Sequence, residues 1–272
     1  MSSVLPRAVA CDLDGTLLRS DGTLDERSRR ALAEIQRAGV LLVLCTARPA
    51  RWMRPLAQAT GHGGVAICAN GAVVWDLHAE SVLETRPLAP AAAHDIVTLL
   101  KTALPGASWA VERAEGFAHE PAYVPRWPVP DDTIIAEIET LITEPAVKLM
   151  LRDERHDADA LLAIARELVG HLAEPSHSSS ADSLLEISAP GVSKASALAN
   201  VCEKRGIRRA DVIAFGDMPN DLPMLSWAGH GVAVANAHPD VLAAADEVTA
   251  GNDDAGVARV LERLILTLTR LG

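Results

Sequence analysis

The sequence has few aromatic residues, few cysteines and no long apolar run, and each shortage excludes a class of protein. Aromatic residues make up 3% of the 272 residues, which is too few for a surface that stacks nucleic-acid bases. The four cysteines form no CxxC pair, so neither a zinc site nor a disulfide framework is expected. The clearest apolar run covers residues 40–45 only, whereas a membrane-spanning helix needs about 20 residues.

Positive charge is also in short supply. There are 25 lysine and arginine residues against 36 aspartate and glutamate residues, which gives a net charge of −11. An acidic surface repels nucleic-acid phosphates and anionic lipids, so we expect no nucleic-acid or membrane partner. Asp12 and Asp14 interrupt the first apolar segment too early for a signal peptide. We therefore expect a cytoplasmic protein.

Strand and helix patterns alternate at both ends of the sequence. Apolar runs predict buried strands at 7–11, 40–45 and 65–68, with an amphipathic helix at 26–38 between the first two. A helix at 193–205 and a strand at 211–215 resume the pattern. This order predicts an α/β fold, with a doubly wound, mostly parallel, Rossmann-like sheet as its core.

The middle of the sequence follows a different pattern. Helices are predicted at 91–104, 133–142 and 157–168, and strand-like pieces lie at 109–111, 147–151 and 184–187. A stretch rich in proline and alanine at 86–90 marks a boundary. We therefore expect a core domain formed by residues 1–82 and 189–272, with an α+β domain inserted over residues 83–188.

Polar side chains follow four of the predicted core strands. The segment Asp12-Leu-Asp-Gly-Thr16 comes directly after the first strand, and Thr46, Asn70 and Asp217 follow three others. In an open α/β sheet, ligands bind beyond the carboxyl ends of the strands. The first segment alone also fits an acidic turn that caps a helix, but the four positions together favour a functional site. Lys194, near the start of a helix, could bind an anion there.

These segments resemble the motifs of the haloacid dehalogenase-like (HAD) hydrolases, and most of all the Cof-type phosphatases with a type IIB cap. The likeness extends from residue 8 to about residue 260, and the motifs occur in the order typical of the family. Two positions that are usually glycine are Ala47 and Ala195, and neither change removes a catalytic side chain. The four matching segments are Asp12-Leu-Asp-Gly-Thr-Leu17, Cys45-Thr-Ala-Arg48, Gly191-Val-Ser-Lys-Ala195 and Gly216-Asp-Met-Pro-Asn-Asp221.

The resemblance implies a role for each residue of these motifs. Asp12 would be the nucleophile that forms an aspartyl-phosphate, and Asp14 would be the general acid and base. Mg²⁺ would be held by the side chains of Asp12 and Asp217 and the carbonyl of Asp14, with Asp221 supporting this shell. The phosphate would be bound by the side chains of Thr46, Lys194 and Asn220 and by the backbone N–H groups of Leu13 and Ala47.

The resemblance also implies a substrate class and leaves alternatives open. The expected partners are small phosphorylated metabolites, such as sugar phosphates, flavin mononucleotide (FMN) or pyridoxal phosphate. The inserted domain would act as a cap that sets substrate choice, in a monomer or small homo-oligomer. A phosphomutase remains possible, as does a protein that accepts or binds phosphate without hydrolysing it. Arg48 could either contact the substrate or pair with an acidic residue.

Overall fold

The chain divides into two compact units. The computed structural model describes residues 5–61, 63–114, 116–178 and 182–269. The first unit contains the described residues up to Leu83 and those from Lys194 onward, and the second unit contains Glu84–Ser193. Within the described ranges, no helix combines the length and the apolar character that a bilayer crossing requires.

The secondary-structure elements follow one another in three stretches of chain. The first stretch contains β1 (Ala8–Asp12), α1 (Glu26–Arg37), β2 (Leu41–Cys45), α2 (Met53–Ala59), β3 (Val65–Cys68), β4 (Val73–Asp76) and β5 (Ser81–Thr85), and β5 crosses the boundary between the units. The second unit contains α3 (Pro90–Ala103), β6 (Ser108–Arg113), β7 (Gly116–His119), β8 (Ile134–Ile135), α4 (Ile138–Leu141), β9 (Lys148–Arg152), α5 (Ala158–Val169), β10 (Glu174–Ser176) and β11 (Leu184–Ser188). The last stretch contains α6 (Lys194–Lys204), β12 (Val212–Gly216), α7 (Leu222–Trp227), β13 (His230–Ala233), α8 (Pro239–Ala244), β14 (Glu247–Val248) and α9 (Gly256–Thr269).

The first unit is built on an eight-stranded sheet with the order β14-β13-β12-β1-β2-β3-β4-β5. Neighbouring strands from β14 to β3 are parallel, and β4 runs antiparallel to β3. Every residue of β1 is buried, as expected for a central parallel strand covered on both faces. The predicted fold class, a doubly wound and mostly parallel α/β core, is confirmed.

Helix α1 illustrates how the sequence builds the layers around this sheet. The Asp25 carboxylate caps the helix by accepting hydrogen bonds from the backbone N–H groups of Arg27 and Ser28. Apolar side chains recur at helical spacing, so Leu32 and Ile35 lie on one buried face. The helix packs against β2 and α9, so α9 lies beside elements from the first part of the sequence.

The second unit is built on a six-stranded sheet with the order β10-β11-β9-β6-β7-β8. Neighbouring strands are antiparallel except for the parallel pair of β7 and β8. Side chains alternate between the two faces of a strand, so Leu149 and Leu151 of β9 lie on one face, and Lys148, Met150 and Arg152 lie on the other. This second face carries the buried side chains of Lys148 and Arg152.

The helix expected over residues 133–142 is wrong. Ile134–Ile135 form β8 beside β7, and only Ile138–Leu141 are helical. Two adjacent β-branched residues favour a strand once a neighbouring strand is available for pairing. The buried Glu120 side chain then accepts the Ile138 N–H at 3.2 Å, so this short helix begins after the strand rather than within it.

Candidate active site

Five of the predicted site residues lie together at the carboxyl edge of the eight-stranded sheet. Asp12 ends β1, and its register partner Cys45 ends β2, so Thr46 lies beside it. Asp217 follows β12, which is the other neighbour of β1. Asp12, Thr46 and Asp217 are buried, and so are Lys194 and Asp221. Parallel pairing therefore brings segments that are distant in sequence to one edge.

Lys194 is the buried centre of this cluster. Its Nζ donates hydrogen bonds to Asp12 Oδ1 at 2.5 Å and to Asp221 Oδ1 at 2.7 Å. Burial opposes the charged form, but the carboxylates of Asp12 and Asp221 outweigh it and raise the pKa of Lys194. The lysine is therefore a permanent positive charge beside Asp12.

Asp217 and Asp221 have different surroundings. Both oxygens of Asp221 are occupied, because Oδ1 accepts from Lys194 and Oδ2 accepts the backbone N–H groups of Asp217 and Met218 at 3.1 Å. Asp217 Oδ1 accepts the Thr16 hydroxyl at 2.8 Å. Burial, with the nearby charge of Asp221, raises the pKa of Asp217 to about 7. A bound cation would therefore favour the ionised form of the Asp217 carboxyl group.

The donor set of this cluster fits a divalent metal ion. Carboxylate oxygens of Asp12, Asp217 and Asp221 all lie within 4.8 Å of one another. Three carboxylates face one ammonium group, so full ionisation of the cluster leaves two negative charges that this lysine does not balance. Hard oxygen ligands of this kind suit Mg²⁺. Because the oxygens of Asp221 are already occupied, Asp12 and Asp217 are the side chains best suited to direct ligation.

Two glycines make this crowding possible. Gly15 has a positive φ of +78°, and a Cβ there would lie 2.3 Å from Asp217 Oδ2. A Cβ at Gly216 would lie 2.5 Å from the Cβ of Asp221. Any side chain at either position would displace a carboxylate of the cluster. Steric crowding therefore explains why the first and fourth motifs have glycine at these two positions.

Asp14, in contrast, is half-exposed and bound by an arginine. Arg48 donates from Nε to Asp14 Oδ2 at 2.8 Å and from Nη2 to Asp14 Oδ1 at 2.5 Å. This fork-like pairing fixes the carboxylate in one orientation. Of the two roles considered for Arg48, the structure therefore shows pairing with an acidic residue. The sequence contains both residues in its motifs but does not reveal that they meet.

Asn70 is a residue of this edge that the sequence motifs left without a role. Its side-chain oxygen accepts the Nδ2 hydrogen of Asn220 at 3.0 Å, and its backbone N–H donates to the Thr46 carbonyl at 3.1 Å. Asn70 has a left-handed backbone with φ 56°. Asparagine adopts this conformation more readily than most residues. The Asn-Gly pair after β3 was therefore the sequence signal for a left-handed turn at this edge. Asn70 orients Asn220 at the site.

The remaining predicted phosphate-binding groups lie in the first and second motifs. Thr46 is buried, and its Oγ1 accepts the Arg48 N–H at 3.0 Å. Ala47 lies between these two residues in the chain. Leu13 is buried, and its carbonyl accepts the N–H groups of Leu17 and Leu18. The phosphate-binding roles of the Leu13 and Ala47 N–H groups remain predictions.

Carboxylates grouped around a buried lysine at the edge of a parallel sheet could hold a cation and an anionic substrate. The sequence model of the haloacid dehalogenase-like hydrolases matches residues 9–261. The chain therefore belongs to this family, as the motifs predicted.

Two curated relatives agree with this assignment. Pyridoxal phosphate phosphatase YbhA of Escherichia coli strain K12 is 31% identical over 264 residues, covering 94% of this chain and 97% of that protein. 5-amino-6-(5-phospho-D-ribitylamino)uracil phosphatase YcsE of Bacillus subtilis strain 168 is 29% identical over 263 residues, covering 96% of both. The predicted enzyme class, a phosphoric monoester hydrolase of this family, is confirmed.

The fold of both units has a counterpart among solved structures. The structure of the HAD subclass IIB sugar phosphatase BT4131 has a TM-score of 0.80 to this chain, covering 94% of this chain and 98% of that one. The two sequences are 19% identical, so the likeness concerns the fold alone. An α/β core interrupted by a second unit is thus shared with that protein.

Proposed function

We propose that this protein is a Mg²⁺-dependent phosphatase that hydrolyses small phosphorylated metabolites through an aspartyl-phosphate on Asp12. The observation that carries the proposal is the position of Asp12, buried at the sheet edge with Lys194 at 2.5 Å and further carboxylates close by. A bound Mg²⁺ would supply charge neutralisation between the nucleophile and the phosphate. Asp12 and Asp217 would hold it through their side chains, together with the carbonyl of Asp14.

The first half of the reaction forms the covalent intermediate. A carboxylate oxygen of Asp12 bonds to phosphorus while the bond from phosphorus to the leaving alcohol oxygen breaks. Asp14 in its protonated form donates its proton to that oxygen. Lys194, kept charged by Asp12 and Asp221, offsets negative charge on the transferring group.

The second half returns the enzyme to its starting state. Asp14, now ionised, removes a proton from water as the water oxygen bonds to phosphorus and the bond to Asp12 breaks. Thr46 and Asn220, with the N–H groups of Leu13 and Ala47, would hold the phosphoryl oxygens through both halves. Positioning of this kind supplies most of the catalysis in phosphoryl transfer.

Substrate choice is assigned to the inserted domain. Residues 83–188 are proposed to form a cap, because loops or domains that close over a site control water access and recognise the part of the substrate that is not transferred. Relatives named for pyridoxal phosphate and for a ribitylaminouracil phosphate support substrates of similar size, including sugar phosphates and FMN. Four free, buried cysteines agree with a reducing compartment such as the cytoplasm.

Phosphate release from a panel of phosphorylated metabolites tests the function. Wild-type protein is assayed with Mg²⁺ and with EDTA beside Asp12→Asn, an isosteric change that removes the nucleophile. Asp131→Asn removes the same charge at an exposed position of the second unit and is the matched control. We expect Mg²⁺-dependent release that Asp131→Asn retains and Asp12→Asn loses. Release by metal-loaded Asp12→Asn near the wild-type rate would contradict the covalent mechanism.

Product analysis separates the alternatives. An isomerised phosphate ester without free phosphate would indicate a phosphomutase. A stable phosphoprotein that does not turn over would indicate a phosphate-accepting protein. Rapid quenching followed by borohydride reduction of the acyl phosphate should convert the residue at position 12 to homoserine in wild type only, and absence of that product during turnover would refute the intermediate.

A further inference from the structure

The side-chain amide of Asn236 is hydrogen-bonded at both ends. Its Nδ2 donates to the Gly15 carbonyl at 2.8 Å, and its Oδ1 accepts the Asn252 N–H at 2.9 Å. Among the residues that the structure describes, no other donor is bonded to the Gly15 carbonyl. Asn236 is exposed, yet it joins the loop after β1 to the segment after β13.

Gly15 is the residue of this loop that most needs an outside contact. Glycine adopts many backbone conformations, so its own sterics do not fix the orientation of its peptide groups. The backbone of Gly15 also lies directly against the Asp217 carboxylate, because an added Cβ would be 2.3 Å from Oδ2. A shift of Gly15 therefore changes the space that is open to Asp217.

Asp217 is bonded to both of the segments that Asn236 joins. In the loop after β1, the Thr16 hydroxyl donates to Asp217 Oδ1 at 2.8 Å. In the segment after β13, the His238 N–H donates to the Asp217 carbonyl at 2.8 Å. The bond from Asn236 to Gly15 closes this set of contacts, and it fixes Gly15, Thr16 and Asp217 relative to one another.

The groups that are fixed in this way include two of those proposed to hold Mg²⁺. The Asp14 carbonyl directly precedes Gly15 in the chain, and the Asp217 side chain is the other. Mg²⁺ demands a nearly ideal octahedron of close oxygen ligands, whereas Ca²⁺ accepts a flexible arrangement at longer distances. Loosening the ligands should therefore weaken the binding of Mg²⁺ more than that of Ca²⁺.

We propose that Asn236 is a positioning residue of the cation site and that, by holding the Gly15 carbonyl, it sets how well the site discriminates Mg²⁺ from Ca²⁺. The proposal rests on the proposed function, which assigns Mg²⁺ to this edge of the sheet, and adds to it a residue that is not itself a ligand. All the residues involved belong to the first unit.

Titration of metal-free protein with Mg²⁺ alone and with Ca²⁺ alone, followed by the rise in Tm, tests the proposal. In Asn236→Ala the Kd for Mg²⁺ should rise about 10-fold, which is typical when a residue that orients a metal ligand is lost. The Kd for Ca²⁺ should rise by about threefold or less, because Ca²⁺ tolerates irregular geometry. Asn236→Asp keeps the size and the acceptor but loses the donor, so it should lose the same discrimination despite its added charge.

Ser20→Ala is the matched control. It removes an exposed side-chain hydrogen bond of 2.7 Å that ties the same loop to Asp253, the neighbour of Asn252, at a distance of five residues from Gly15 in the chain. Both Kd values should stay at the wild-type level in this variant. A loss of Mg²⁺ and Ca²⁺ affinity by the same factor in Asn236→Ala, with a lower Tm of the metal-free protein, would show a purely structural role and overturn the proposal. Wild-type discrimination in Asn236→Asp would also overturn it.

A double-mutant cycle tests whether Asn236 acts through the loop. Thr16→Val removes the hydroxyl that binds Asp217. If Asn236 acts by fixing the loop that carries Thr16, the double variant should lose less Mg²⁺ affinity than the product of the two single losses. A loss equal to that product would mean that the two residues act independently, which contradicts the proposal.

Because metal binding is measured without a substrate, the positioning role and the phosphatase function can fail separately. If wild type releases no phosphate from any substrate but Asn236→Ala loses discrimination between the two cations, the function fails and the positioning role stands. If wild type is a Mg²⁺-dependent phosphatase and Asn236→Ala keeps the wild-type ratio of Kd values, the function stands and the positioning role fails. Absence of Mg²⁺ binding to wild type would overturn the positioning role.

Discussion

The two units balance their buried charges differently. In the first unit, Lys194 lies 2.5 Å from Asp12 and 2.7 Å from Asp221, with Asp217 close by, so carboxylates outnumber the cation. In the second unit, the buried cations Lys148 and Arg152 share one sheet face with the buried carboxylates Glu112 and Glu186, so the two signs are equal in number. An imbalance of buried charge is costly in the folded protein. A bound cation would relieve it in the first unit, whereas the second unit already holds both signs.

The balanced face contains a direct ion pair. Lys148 and Glu186 form it, and both are buried. Here protein groups supply both charges, and no outside ligand is needed. Changes at Lys194 and at Lys148 should therefore affect different properties of the protein.

The largest effect is expected for Lys194→Met. Removing the ammonium leaves the carboxylates of Asp12 and Asp221 without their counter-charge and removes the cation that would offset the phosphate. We expect kcat for p-nitrophenyl phosphate to fall about 10³-fold in the Mg²⁺-loaded protein. Steady-state kinetics on folded protein, verified by circular dichroism, provide the measurement. A loss below tenfold would show that Lys194 does not act on the reacting phosphate.

Lys148→Met should affect stability and not chemistry. The change leaves Glu186 buried without its cation, and we expect the free energy of unfolding to fall by about 3 kcal/mol. Urea unfolding measures the loss, and hydrolysis of p-nitrophenyl phosphate by the folded fraction should remain at the wild-type rate. The double change Lys148→Met with Glu186→Leu should recover part of the stability, because Glu112 stays buried opposite position 148. A double variant as unstable as the single one would contradict the pairing of Lys148 with Glu186.

Arg48→Gln should slow the reaction of substrates with poor leaving groups more than that of substrates with good leaving groups. Without Arg48 the Asp14 carboxylate loses its fixed orientation, so proton donation to a poor leaving group becomes slower. We expect the rate of the covalent step to fall about 10-fold for an alkyl phosphate and much less for p-nitrophenyl phosphate, whose leaving group needs no proton. Single-turnover kinetics measure that step. Equal losses for both substrates would assign Arg48 a binding role instead.

The smallest effect is a pH dependence of Mg²⁺ binding. Because burial and Asp221 raise the pKa of Asp217 to about 7, the metal-free folded state binds a proton that the unfolded state has released. The free energy of unfolding of metal-free protein should therefore fall as the pH rises from about 4 to about 7. Mg²⁺ competes with this proton, so its affinity should be about 10-fold weaker at pH 6 than at pH 8. Thermal shifts with Mg²⁺ at both pH values measure this, and equal shifts would contradict it.

The sequence predicted the parallel strands of the core closely because their signal is local. Residues 65–68 were predicted as a strand and form β3 over the same range, and the predicted strand at 40–45 corresponds to β2 at Leu41–Cys45. Continuous apolar runs between polar ends are sufficient for such strands. The core strands β4, β5 and β14 were not predicted, because their pairing depends on the neighbouring strand.

The motifs identified the site residues, but the structure was needed to see which of them meet. The pairing of Arg48 with Asp14 and the contact of Asn70 with Asn220 join segments that are far apart in the chain. The grouping of Glu112, Lys148 and Glu186 on one sheet face was equally invisible, because it depends on the register of β9 with its neighbours. Local patterns predict strand ends and caps, whereas charge balance is a property of the assembled sheets.

The interrupted construction of the first unit has a consequence for synthesis of the protein on the ribosome. In the sheet β12 lies directly beside β1, with Val212 opposite Ala8, although the whole of Glu84–Ser193 is translated between them. During that interval one edge of β1 lacks its partner, and the nascent chain exposes an apolar strand that can pair wrongly. Lys194 also leaves the ribosome after the second unit is complete, so Asp12 spends that time without its counter-charge. Translation speed over residues 84–193 therefore sets how long the nascent protein needs protection by chaperones.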